Sequence, residues 1–104
     1  LEEQMPVAFQ LILHGGHARS AALEAIAFAR KGDAEAAEAS LHQAEQELST
    51  AHRIHTDLIQ KEAGGDETKV NLILVHAQDH LMNAMTIKEL AAEFVHLYRE
   101  INNK

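Results

Sequence analysis

Apolar residues recur at spacings of three and four along nearly the whole chain, which is the mark of amphipathic α-helices. Two interruptions divide the pattern. The first is Gly32-Asp33, a glycine that can close one helix followed by an aspartate that can cap the next. Arg30 and Lys31 precede it, where cations suit a helix C-terminus. The second is Gly64-Gly65-Asp66-Glu67-Thr68, with Lys61 in the turn before it. The pattern predicts three helices, over residues 3–31, 34–63 and 68–102. The short connections imply antiparallel neighbours in an all-α, up-down three-helix bundle.

Each segment has its own seam. In the first, Ala8, Leu11, Gly15, Ala18, Ala22, Ala25 and Ala29 form a small-residue line that lets backbones approach closely. Gly15-Gly16 costs roughly 1 kcal/mol per glycine against alanine in a helix, so the pair marks a kink or a very near backbone. In the second, Ala37, Leu41, Ala44, Leu48, Ala51, His55 and Leu58 step alternately by four and three, a heptad line interrupted by His55. The third segment changes character. From Ile87 to Ile101 it is amphipathic, with Ile87, Leu90, Phe94, Leu97 and Ile101 on one stripe. From Val70 to Met82 it is apolar almost all round.

A helix that is apolar on every side is buried on every side. Three helices cannot do that for one of their own, so the second face must meet another copy. Asp79 lies on that face, in the stripe Leu72, Val75, Asp79, Met82. In a cyclic homo-oligomer the Asp79 carboxylates would converge on the axis. They would then repel, or recruit a hard divalent cation such as Mg²⁺. An aspartate exposed in a groove or paired with a lysine is the alternative.

Composition narrows the function. The 104 residues suit one domain, 1–104, with a small core. Net charge is −7, which excludes the cationic face that nucleic-acid binding needs and suits a basic protein partner. There is no cysteine, hence no disulfide, thiolate metal site or cysteine nucleophile. No stretch approaches the ~20 apolar residues of a membrane span, and no signal-peptide pattern is visible, so a cytoplasmic location is expected.

Candidate chemistry lies in the eight histidines, and above all in Leu72-Ile-Leu-Val-His-Ala-Gln-Asp-His-Leu-Met82. His76, Asp79 and His80 stand there in an apolar run, where unsatisfied polar groups cost roughly 2–7 kcal/mol each. Their i, i+3, i+4 spacing gathers them on one side of the helix. Neutral imidazole is a competent nucleophile near pH 7, so His76 is a candidate phosphoryl acceptor, with one ring nitrogen free and the other oriented. Hydrogen-bonded interface histidines are the plainer reading. His76 and His80 also have a chelating spacing, and Asp79 could add an oxygen, but no complete zinc motif is present. His14/His17 and His52/His55 have the same weakness; most read as surface or seam residues, with His55 pointed inward by the heptad register. A histidine phosphotransfer domain and a non-catalytic metal-binding or assembly bundle remain as alternatives. The former lacks the Lys-Gly pair expected after its histidine, since Leu81-Met82 stand there instead.

Val75-His-Ala-Gln-Asp-His-Leu-Met82 resembles the signature of the lactose/cellobiose-type enzyme IIA of the bacterial phosphoenolpyruvate-dependent sugar phosphotransferase system. Phe9-Gln-Leu-Ile-Leu-His-Gly-Gly-His-Ala-Arg-Ser20, Lys31-Gly-Asp33, Ala51-His-Arg-Ile-His-Thr56, Leu58-Ile-Gln-Lys-Glu-Ala-Gly-Gly65 and Leu97-Tyr98 resemble other stretches of that family. The resemblance implies a homotrimer of three-helix subunits, nine helices in all. It implies that His76 is phosphorylated at Nε2 by the phosphohistidine of the carrier HPr. The phosphoryl group would pass to a cysteine of enzyme IIB, and so to sugar entering through the membrane component IIC. Asp79 would correspond to a metal-binding aspartate on the trimer axis. Gln78, His80 and His55 are candidate supporting residues. The family usually carries Gln where this chain has His55, and Asn, Asp or Gln where it has His17. The spelling of the signature is closer to the cellobiose, chitobiose and lichenan branch than to the lactose branch.

Overall fold

The computed structural model describes residues 6–104, which form three α-helices: α1 (Val7–Arg30), α2 (Ala34–Ala63) and α3 (Leu72–Asn102). Among the described residues there is no strand. The chain runs up, down and up, so α1 and α3 are parallel and α2 is antiparallel to both. α1 is the middle helix, packed along its length on both others, whereas α2 and α3 meet over a much smaller area. The molecule is a rod of 56 × 26 × 20 Å. Its radius of gyration of 16.0 Å exceeds the ~13 Å of a compact chain of about this size. No helix is long and apolar enough to cross a membrane.

Both predicted breaks are where the pattern puts them, and both use the same device. Gly32 takes φ 89°, and Asp33 N–H reaches back to the Phe28 carbonyl at 2.9 Å. Gly65 takes φ 99°, and Asp66 N–H reaches the Lys61 carbonyl at 3.0 Å. In each case glycine supplies the left-handed residue that turns the chain and satisfies the last carbonyls. Asp33 then caps α2 by accepting the Ala36 N–H at 3.1 Å.

Two predicted starts move. Pro6 is the N-cap of α1, which therefore begins at Val7, because the residue before a proline is disfavoured in helix; predicted positions 3–5 lie outside the described residues. α3 begins at Leu72 rather than residue 68. Asn71, in extended conformation, accepts the Leu74 N–H at 2.8 Å and sets the start. β-branched Thr68 and Val70 add little helix propensity that would carry the helix further back.

The core is small-residue packing around α1. One cluster joins Ala21, Ala22, Ala25 and Ala29 to Ala37, Leu41, Ala44, Ala91 and Val95. The other joins Leu11, Ala51, Ala77 and Leu81. The seams expected in α1 and α2 are thus the buried lines of those helices. Gly15-Gly16 does not kink α1, which continues unbroken. A Cβ at Gly15 would lie 3.6 Å from the carbonyl carbon and oxygen of His80, whereas nothing lies within 4 Å of one at Gly16. The near-backbone reading therefore holds for Gly15 alone.

The stripe predicted for the second half of α3 needs correction. Only Ile87 packs against the core; Leu90, Phe94, Leu97 and Ile101 are exposed. The line that faces the bundle is Leu74, Ala77, Leu81, Ala84, Ala91 and Val95. The inner line mixes alanines with Leu74, Leu81 and Val95, whereas the outer stripe carries only large residues, and the close approach of α1 favours the side with the alanines. α3 therefore does not change character halfway. Its outer apolar face runs the whole length, through Leu72, Val75, Met82, Leu90, Phe94, Leu97 and Ile101, with Asp79 set in it.

Candidate active site on the third helix

The site is built on the first three turns of α3. The Asn71 cap fixes where the helix begins, and Leu74, Ala77 and Leu81 bury one side of it. Successive residues turn by about 100°, so spacing sets the direction in which each later side chain points. His76 and Asp79 come out exposed, and His80, nearer the α1 contact, is half-buried. The two imidazoles meet: His80 Nε2 lies 3.1 Å from His76 Nε2. Their rings are edge to face, with centroids 4.5 Å apart and planes at 88°. Gly15 brings α1 onto the His80 backbone, so the inner member of the pair is held by the bundle and the outer member faces solvent.

The other candidates are distributed elsewhere. Gln78 is two residues from both histidines, about 200° round the helix. It borders a groove with Leu58, Ile59 and Glu62 of α2, on the side away from the imidazoles. His55 is half-buried on the α2 seam, as the register predicts. Asp79 stands among the exposed Leu72, Val75 and Met82 and makes no ion pair among those found in the described residues. Within one chain the described residues contain no group of three His, Cys, Asp or Glu side chains placed to hold a metal. A lone exposed carboxylate on an apolar face is nonetheless a fit ligand for a cation shared between copies, since each copy adds hard oxygen donors.

Sequence patterning missed one polar feature. His14, grouped with the surface or seam histidines, is buried on α1. Its Nδ1 lies 2.6 Å from one Glu47 oxygen, and His17 Nδ1 lies 3.4 Å from the other. Position in the α1 line was the available signal: His14 directly precedes Gly15 and comes three residues after buried Leu11.

A family model described as "PTS system, Lactose/Cellobiose specific IIA subunit" matches residues 6–99. The lichenan-specific phosphotransferase enzyme IIA component of Bacillus subtilis strain 168 is 56% identical over 103 residues, covering 99% of this chain and 94% of that protein. The crystal structure of the cellobiose-specific enzyme IIA from Bacillus anthracis superposes with a TM-score of 0.93 at 45% identity, covering 100% of this chain and 99% of the other. The IIA(chitobiose) chain in the solution structures of its complex with HPr, from the Escherichia coli phosphotransferase system, gives a TM-score of 0.80 at 42% identity, covering 92% and 93% of the two chains. These findings favour the phosphocarrier over the two-component domain and the non-catalytic bundle.

Proposed function

The chain belongs to the lactose/cellobiose-specific IIA family of the sugar phosphotransferase system, and on that premise we propose that His76 carries the phosphoryl group between two protein partners. The supporting observation is the placement of the signature histidine: an exposed imidazole on a helix whose inner face, with Leu74, Ala77 and Leu81, is buried in the bundle. A carrier must be reached by a donor and then by an acceptor, and neither could enter a buried site. The donor is HPr, consistent with the relative solved in complex with it. The acceptor is a cysteine of the cognate enzyme IIB, which serves the membrane component IIC. Both partners act in the cytoplasm. The sugar is a disaccharide of the cellobiose or chitobiose type, in keeping with the names of the relatives.

The chemistry asked of this chain is modest. The His76 Nε2 lone pair attacks phosphorus in line with the departing donor nitrogen, which keeps the electron pair of the broken N–P bond. The Nδ1 nitrogen of His76 carries the ring proton throughout. Such a transfer depends on positioning and charge stabilisation more than on covalent assistance.

The apolar outer face of α3 is the contact between copies in a homotrimer of nine helices. Its Asp79 carboxylates meet on the axis, where they would hold Mg²⁺ or a similar divalent cation. That cation would offset two of the three converging charges and stabilise the assembly.

The test is a mass measurement after mixing the chain with phosphoenolpyruvate, enzyme I and HPr. The wild type gains one phosphoryl group and His76→Ala gains none. A wild type that gains nothing ends the proposal.

A further inference from the structure

The nitrogen that must attack phosphorus is already in a hydrogen bond. His80 Nε2 sits 3.1 Å from His76 Nε2, within the range of an N–H···N contact. A neutral imidazole has one N–H and one lone pair, so the contact has two forms. If His76 donates, its Nε2 bears the proton and cannot attack. If His80 donates, His76 keeps its proton on Nδ1, and its Nε2 lone pair is the acceptor and the nucleophile. Only the second form is competent.

We propose that His80 is a second working residue of the site: its Nε2–H selects the competent tautomer of His76 at rest and passes to a phosphoryl oxygen once His76 is loaded. This rests on the reading of His76 as the carrier. As the N–P bond forms, the His76 lone pair is consumed and can no longer accept. The electron pair of the broken bond returns to the donor's nitrogen, and no proton changes atom in this chain. The His80 N–H, still beside the same nitrogen, then faces the new phosphoryl group and donates to one of its oxygens.

The packing supports this division. His80 is the half-buried member, with its carbonyl against Gly15, while His76 is exposed. The less exposed ring can be the donor while the more exposed ring meets the partner proteins. Gln78, the other polar neighbour in the signature, projects to the α2 side and borders a groove with Leu58 and Ile59. At the level of His80, α1 presents Gly15, and the hydrogen-bonding neighbour found at His76 Nε2 is His80 Nε2.

Nitrogen-15 NMR of the unphosphorylated wild type tests the resting state without a variant. The expected result is His76 chiefly protonated on Nδ1 and His80 on Nε2. His76 found chiefly as the Nε2–H tautomer would overturn the inference. In transfer assays from phospho-HPr, His80→Ala should slow loading by about tenfold, less than the 10²–10³ typical of a buried donor because water competes here. The loss should fall on the rate and leave the affinity for HPr unchanged. His80→Gln, which restores an N–H donor, should recover most of it. Normal loading by His80→Ala with an unaltered His76 tautomer would remove His80 and leave His76 as carrier. A wild type that takes no phosphoryl group would instead remove the carrier reading itself.

Discussion

His14 Nδ1 and Glu47 Oε2 lie 2.6 Å apart, tying the tight seam of α1 to α2 beside the glycine that supports His80. His17 adds a second contact to the same carboxylate at 3.4 Å. A buried imidazole loses much more when its partner is removed than a surface pair does, because water does not replace the lost acceptor. Glu47→Ala should therefore destabilise the fold by about 1–3 kcal/mol. Glu47→Gln, which keeps an acceptor oxygen, should cost less. Urea unfolding at one fixed protein concentration measures both, and equal losses would refute the assignment of the effect to the hydrogen bond.

Gly15 and Gly16 are neighbours with opposite surroundings. Gly16→Ala meets nothing within 4 Å and should stabilise α1 by about 0.5–1 kcal/mol through helix propensity alone. Gly15→Val places extra carbons against the His80 backbone and should cost about 1–3 kcal/mol as the helices are forced apart. Thermal melts of the two variants should shift in opposite directions.

The outer face of α3 offers a direct test of assembly. Phe94 and Leu97 are exposed in the subunit, so Phe94→Glu or Leu97→Glu removes nothing from its core. In the proposed trimer the same change would bury a charge among apolar side chains. Sedimentation should show monomers with unchanged helical circular dichroism. An intact trimer would move the interface elsewhere.

Asp79 should link assembly to divalent cations. In the proposed trimer, three Asp79 carboxylates converging on the axis would repel one another unless a cation or protons intervened. Chelation with EDTA should then weaken the wild-type assembly, and Asp79→Asn should abolish that sensitivity while leaving the assembly intact. Sedimentation with and without EDTA reads both effects, and a wild type indifferent to EDTA would count against the shared cation.

Much of this protein is determined by short-range pattern. The breaks at Gly32 and Gly65, the small-residue seam of α1 and the heptad seam of α2 arise from backbone sterics and from which residues repeat every three or four positions. The polar groups of Val75 to Met82 in an apolar run made His76 a candidate, but that pattern left hydrogen-bonded interface histidines as the plainer reading, and the phosphoryl role rests on the resemblance of the same stretch to the family signature. The start of α3 is also local but lies later than predicted, because Asn71 competes with other polar residues nearby for the cap. Two things were decided only by tertiary packing. The assignment of α3's two apolar faces depends on α1: at the separation that Gly15 and the alanines allow, the line of Leu74, Ala77, Leu81, Ala84, Ala91 and Val95 fits inside, and Leu90, Phe94, Leu97 and Ile101 remain outside. Finally, the stripes of the sequence already set Asp79 with Leu72, Val75 and Met82, apart from the histidines. That His80 is the half-buried and His76 the exposed member of the pair was decided by the approach of α1, because the direction a helix turns to its neighbours is a property of the packed bundle and not of the helix.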